Sequence, residues 1–383
     1  MQKPTFTWLT VVAILAIFEV ACAPKPSSSS PPLPVITPAA LPSPSGVTHP
    51  ASTSDDANWA NVVAEGKKEG NVIVDAAGYT GEIGIQMAKA FEARYNVNLD
   101  IITGRGAEFT ERMKTERRLG QMVGDVIQSS STFLMTMKSL GLTDTITDLP
   151  ALRAKGDFYV DPLLDREGHI LIHGFQLIGP MVNTRLVRAG EEPKRWQDVL
   201  DPKWKGKMMA SDPTLSSGAY ITFVPLVNAK AISLDILRQI GKQVPVLTRG
   251  DQDTSERLSR GDYPMALQVA YTYMATYAKE GAPVKAIPMA EGITRSTLLL
   301  SPIKGAPHPN AAKLFLDWIL SSEGQTVLHK TRATPPLRKD VADFSPQGLI
   351  LPPNTRFVLE TEADVVEGAD KYANKWLVDL WKQ

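Results

Sequence analysis

The chain has 383 residues, and its 41 basic side chains are balanced by 41 acidic ones. A neutral chain lacks the basic surface that a general nucleic-acid binder needs to neutralise phosphates, which excludes that class. Cys22 is the single cysteine, which excludes an intrachain disulfide and any cysteine-based metal centre.

The first 22 residues read as a targeting segment. Lys3 precedes the apolar run "WLTVVAILAIF", which is of signal-peptide length and short for a bilayer span. Small residues stand just before Cys22, as in a lipoprotein signal whose cysteine is freed and acylated, although Glu19 sits where such signals carry an apolar residue. Residues 23–56 are rich in Pro and Ser, with no periodic apolar face, and read as an unfolded tether. Roughly 330 residues remain, more than one hydrophobic core usually spans, so two lobes are expected.

Strands and helices then alternate. "NVIVDAA" is a short β-branched run. The stretch "GEIGIQMAKAFEARY" carries Ile85, Ala88, Phe91 and Tyr95 at helical spacing. "VNLDIITG" reads as a strand, "AEFTERMKTERRLG" as a charged helix closed by Gly120, "GDVIQSSS" as a strand and "TFLMTMKSLG" as a helix. Single helices between short strands predict parallel βαβ units and an α/β fold. "HILIHGFQLIGPMVNT" is a long extended run suited to a crossing between lobes. In the middle section "GKMMASD", "VPVLTRG" and "PMALQVA" read as strands, with "SSGAYITFVPLVNAK", "DTSERLSRG" and "TYMATYAKEG" as helices. A return crossing is expected in "VKAIPMAEGITRSTLLLSPI", followed by the helices "PNAAKLFLDWIL" and "SSEGQTVLHK". The terminal "KYANKWLVDLWKQ" places Trp376, Leu377, Leu380 and Trp381 on one helical face that docks on a lobe. Two crossings make a hinge, with a ligand cleft between the lobes. The expected division is 57–175 with 290–383 as lobe one and 176–289 as lobe two.

In open α/β sheets ligands lie beyond the carboxyl ends of strands, where loops lead into helices. Four loops stand out: "AAGYTGE" with Gly78, Tyr79 and Thr80; "SSST" with Ser129, Ser130 and Ser131; "DPTLSSGA" with Thr214, Ser216, Ser217 and Gly218; and "AYTY" with Tyr271. Ser and Thr at helix starts are ordinary caps, but the unpaired N–H groups there also bind anions. Arg105, in "TGRGAEF", can fork onto a carboxylate or phosphonate; Arg249 and Arg295 are weaker candidates for the same role. Tyr273 and Tyr277 share a helix face that suits core packing. His169 and His173 lack an evident third ligand, so no metal site and no cofactor is expected. No Gly-x-Ser-x-Gly elbow, His-Glu-x-x-His or Walker motif is present, and Glu191 and Glu192 sit in a turn before Pro193, so the chain does not read as an enzyme.

The run "NTRLVRAGEEPKRWQDVLDPKWKGKMMASDPTLSSGA" resembles the extracellular solute-binding proteins of bacterial ABC importers, in the branch that includes the iron(III)-binding receptors. "GAPHPNAAKLFLDWILSSEGQTVL" resembles that family's C-terminal helical signature, and "GRGAEFTERM" and "SRGDYPMALQ" fit it more loosely. The resemblance spans roughly residues 60–340. It implies a two-lobed type II periplasmic-binding-protein fold with a hinge and an interlobe cleft. It also implies a monomer that holds a small solute and delivers it to a permease and its ATPase, here from a lipid-anchored position outside the cytoplasmic membrane. The iron-binding branch uses an adjacent Tyr pair as ligands; this chain has Ala270-Tyr271-Thr272-Tyr273 there. A small organic anion is therefore the expected solute, with ferric iron second. A module feeding a sensor kinase and a secreted hydrolase are the competing classes.

Overall fold

The computed structural model describes residues 53–382 except 160–162, 215–217, 244–245 and 374. Cys22, the apolar run before it and the tether up to residue 52 lie outside the described residues. The expected end of the tether is corrected, because helix α1 (Thr53–Glu69) takes in residues 53–56. The first half follows as β1 (Asn71–Ala76), α2 (Glu82–Tyr95), β2 (Asn98–Thr103), α3 (Gly106–Leu119), β3 (Val126–Ser129) and α4 (Ser131–Ser139). These are the strands and helices expected from the alternation of patterns. Met87 and Phe91 of α2 are fully buried because they recur at one-turn spacing. The helix stops at Asn96, whose φ of 55° sets the left-handed cap.

The long run becomes one strand, β4 (Leu171–Asn183). Beyond it come β5 (Met208–Ser211), α5 (Gly218–Asn228), α6 (Leu234–Gln243), β6 (Val246–Thr248), α7 (Asp251–Arg260), β7 (Met265–Ala270), α8 (Tyr271–Lys279) and β8 (Val284–Ala286). Then follow β9 (Ile293–Pro302), α9 (Pro309–Leu320), α10 (Ser322–Arg332), β10 (Phe357–Leu359), α11 (Glu362–Ala373) and α12 (Trp376–Lys382). The described strands form one sheet, ordered β2-β1-β3-β9-β4-β7-β5-β6, with β10 beside β9 and β8 beside β4.

The two crossings, β4 and β9, run antiparallel along each other from Leu171↔Leu300 to Ile178↔Thr294. One end of β9 pairs with β3, through Val126↔Pro302 to Ser129↔Leu299. The far end of β4 pairs with β7 and β8. Each crossing thus belongs to both halves, which is the geometry of a hinge. Pro180 interrupts the β4–β7 register, as a residue without an N–H must. At Gly179 the Ile293 side chain packs so closely on the strand that a Cβ would lie 2.9 Å from Ile293 Cγ2.

Helices cover the first half on two faces. Phe91, Phe315, Trp318 and Leu314 fill one cluster, and Phe109, Met113, Leu134 and Met137 the other. A separate cluster around Trp196, Met208, Phe223, Leu237 and Met265 forms the core of the second half. The fold is the two-lobed α/β class expected. One part of the expected grouping of residues 290–383 is not met. Leu377 and Leu380 of α12 are buried in the second cluster, with α12 against α6. The apolar face of α12 is therefore matched by Leu237 and Ile240 of α6, not by the first half. Among the described residues no helix is long and apolar enough to cross a membrane.

Candidate functional site: a cleft between the two halves, floored by the crossings

A cavity of about 640 Å³ lies where helix starts from both halves meet the crossing strands. Its wall takes Ala77, Gly78 and Thr80 from the turn before α2, Ser129–Ser131 before α4, Gly218 from α5, Asp251 and Gln252 from α7, and Thr272 and Tyr273 from α8. Gln176 of β4 and Ser296 and Thr297 of β9 form its floor, and Thr331 and Arg332 close it from the end of α10. Five helix N-termini therefore face one space, and each brings partial positive charge.

All four loops singled out in the sequence thus contribute to the cavity, through Gly78 and Thr80, Ser129, Ser130 and Ser131, Gly218, and Thr272 and Tyr273 beside Tyr271. Ser216 and Ser217 lie outside the described residues. The remaining candidates are elsewhere. Tyr79 is 1% exposed and turns away from the cavity, its hydroxyl 3.2 Å from His173 Nε2. Burial pushes its phenol well above the ordinary range. Tyr271 is equally buried, for the residue after a fully buried strand points into the core. Arg105 is exposed at the start of α3 and does not line the cavity, since β2, which leads to it, is the outermost strand of its half. The N–H and hydroxyl of Thr214 both donate to Asp212 Oδ1 at 2.7 Å, so this residue closes a local turn. Arg295 lies outside the cavity, with its guanidinium 4.4 Å from the Phe175 ring centre and 4.1 Å from that of Phe357. His169 meets Thr143 at 3.1 Å and His173 meets Tyr79.

Tyr273 reverses its expected role: it is 46% exposed and lines the cavity. On α8 the start of the helix fixes which residues face the groove, so Thr272, Tyr273, Thr276 and Tyr277 face it while Tyr271, Met274 and Ala275 are buried. Gln128, Gln176, Asp251, Gln252, Ser296 and Arg332 were not singled out. The signal for Asp251 and Gln252 was present, because "TRGDQ" is another strand-to-helix loop of the kind that marked the other four. Arg332 carried no such signal, since it ends a helix.

Arg332 dominates the electrostatics. Its Nε and Nη1 are buried without a hydrogen-bond partner, and among the described residues no carboxylate lies within ion-pair distance. Burial lowers its pKa from the usual guanidinium value, the mark of an uncompensated charge. The Ser129 hydroxyl, on the lining of the same cavity, is also buried and unpartnered. Gly78 makes room for the guanidinium. A Cβ there would lie 3.1 Å from Gln128 Oε1 and 3.4 Å from Arg332 Nη2, and the Gly78 N–H itself donates to Gln128 Oε1 at 2.7 Å. On the opposite half Asp251 Oδ1 is buried and unpartnered, and burial raises this carboxyl to about 6. Such an arrangement can hold an anion at one end and accept hydrogen bonds at the other. Among the described residues no group of three or more His, Cys, Asp or Glu is placed to hold a metal ion.

Residues 72–331 match the family described as bacterial extracellular solute-binding protein. An uncharacterized protein of Haemophilus influenzae is 32% identical over 186 residues, which is 45% of this chain and 53% of that protein. The chain thus spans about half the length of that curated relative. The fold is similar to that of iron-bound HitA from Pseudomonas aeruginosa, with TM-score 0.65 and 18% identity over 82% of this chain and 98% of that one. It is also similar to the periplasmic binding protein AfuA from Actinobacillus pleuropneumoniae with fructose-6-phosphate bound, with TM-score 0.62 and 22% identity over the same shares. At these identities the structural likeness establishes the fold, and the sequence match over residues 72–331 establishes the kinship: the chain belongs to the bacterial extracellular solute-binding protein family.

Proposed function

We propose that the protein captures a small organic anion in this cleft and delivers it, unaltered, to an ABC permease and its ATPase. It would work as a monomer, tethered outside the cytoplasmic membrane through an acylated Cys22. The observation that carries this reading is the buried, unpaired guanidinium of Arg332 at the cavity wall. A buried charge without a partner is costly, and a ligand anion removes the cost. Charge-assisted hydrogen bonds are worth about 1.5–3 kcal/mol each, and micromolar affinity needs about 8 kcal/mol. Arg332, the Ser129 hydroxyl and the surrounding helix starts can reach that sum. Ligation across both halves would shift the population toward a closed form.

The two structural neighbours named above hold different solutes, so the solute follows from this chain's own wall residues. Ferric iron with an accompanying anion is the second reading, favoured by the oxygen donors Glu82, Asp251, Tyr273 and Tyr277 on the same wall. A thermal-shift and calorimetric panel of carboxylates, phosphates, phosphonates, sulfonates, ferric citrate and polyamines tests both. A ligand at 100 times its Kd adds about 2.7 kcal/mol of stability. Binding of an anion that is lost in Arg332→Gln, with recovery of the ligand unchanged, supports the proposal. Anion binding untouched by Arg332→Gln, or turnover of the ligand, refutes it.

A further inference from the structure

Resting on that anion-binding reading, we infer that the solute is a hydroxylated organic anion, such as a polyhydroxy carboxylate or phosphate ester. Its charged head lies on Arg332 and its hydroxyls reach Asp251 across the cleft. Three observations lead there. First, the cavity, at about 640 Å³, is far larger than an inorganic oxyanion and falls in the range of pockets that enclose whole organic ligands. An ion seated on Arg332 alone would leave most of the wall without a partner.

Second, the charged side chains of the lining are few and separated. Among the described lining residues they are Glu82, Asp251 and Arg332. Burial raises the pKa of the Tyr273 phenol, the charge of Asp251 adds to the rise and the Arg332 guanidinium opposes it, so that ring stands within electrostatic reach of both. Neither charge is neutralised by the other, because no ion pair joins them. Asp251 Oδ1 is a buried acceptor without a donor, and a ligand hydroxyl that reaches it would supply one.

Third, beside the aliphatic Ile83, Ile178, Ile221 and Leu298, the lining carries several uncharged amides and hydroxyls. Gln252, Thr272, Thr276, Gln176 and Thr297 can each both donate and accept, and Ser296, whose proton goes to Glu360, can accept, which suits a chain of hydroxyl groups. An alkyl tail would leave these groups and Asp251 unpaired, and that loss is the strongest source of discrimination a polar pocket has.

Matched ligands test the inference. Gluconate is compared with hexanoate, and glycerol 3-phosphate with propyl phosphate, by calorimetry on the purified protein. Each pair shares its headgroup and approximate length and differs in hydroxyls. 3-Aminopropylphosphonate supplies an ammonium donor instead. The hydroxylated member of at least one pair is expected to bind about tenfold tighter or more. That ratio should collapse toward one in Asp251→Ala and be intermediate in Asp251→Asn, which keeps the shape and an acceptor. Arg332→Gln should weaken both members of the pair. Equal binding within the pairs, or a ratio that survives Asp251→Ala, overturns the hydroxyl assignment and leaves the anion reading standing. Preference for the aminophosphonate over the hydroxylated ligands also overturns it, in favour of a zwitterion. If none of these anions binds and ferric citrate or a polyamine does, the anion reading falls as well.

Discussion

Glu360 gives a prediction whose size follows from its surroundings. It is 7% exposed and comes directly after β10, the short strand that C-terminal chain adds beside the crossing β9. Its N–H donates to Arg295 O at 3.0 Å, and its Oε2 accepts from the Ser296 hydroxyl at 2.6 Å, one residue that also forms the cleft floor. Burial raises the carboxyl from its ordinary 4.5 to about 7; the Ser296 hydrogen bond opposes the rise and the charge of Asp364 adds to it. Below pH 4.5 the group is protonated in both the folded and unfolded chain and costs nothing. As pH rises from 4.5 to 7 the unfolded chain ionises freely while the folded one resists, so stability is lost across that window. At 1.36 kcal/mol per pH unit, the full loss above pH 7 is about 3 kcal/mol. Glu360→Gln keeps the shape and the acceptor for Ser296 but cannot ionise. Urea denaturation of both proteins should therefore give nearly equal stabilities at pH 4.5 and a variant about 3 kcal/mol more stable at pH 8. A difference that does not change between those pH values, or a wild type that is the more stable at pH 8, would refute the argument.

Other perturbations follow from the same geometry. Arg332→Met should stabilise the ligand-free protein by about 1–3 kcal/mol, seen as a higher melting temperature, because it removes a buried unpaired cation, while it abolishes anion binding; a lower melting temperature would show that the guanidinium is satisfied. Gly78→Ala should weaken anion binding by about tenfold with little effect on folding, since the new Cβ crowds Gln128 Oε1 and Arg332 Nη2. Unchanged affinity in calorimetry would place the anion elsewhere. Leu380→Ala should cost about 2–4 kcal/mol, because the side chain is buried against the second core. Gly241→Ala should unseat the same helix, as its Cβ would lie 2.4 Å from Trp381 Cγ. Limited proteolysis that trims residues 375–383 from both variants, but not from wild type, is the expected pattern.

The sequence by itself determined the class of fold, because that information is local and periodic. The strand run "NVIVDAA", the helical spacing through Phe91 and the cap at Gly120 each act within a few residues, although the buried face of α2 proves to be Met87 with Phe91 and leaves Ile85 exposed. It also located four loops of the cleft, since a strand that runs out into a helix start directs N–H groups beyond the end of the strand. It did not foresee α1, α6, β10 or α11, and it set the end of the tether a few residues too late.

What only the tertiary structure decided is which polar side chains share the cavity. Arg105 and Arg332 are indistinguishable as sequence letters, yet β2 is the outer strand of its half and carries Arg105 away from the groove, while α10 ends over it and leaves Arg332 buried without a carboxylate. Tyr271 and Tyr273 are two residues apart, and only the seating of α8 on the sheet sends the first into the core and the second to the cleft. A side chain's charge is written in the sequence, but whether it meets water, a partner or an empty space depends on elements that can lie hundreds of residues away, and that is settled only when they pack.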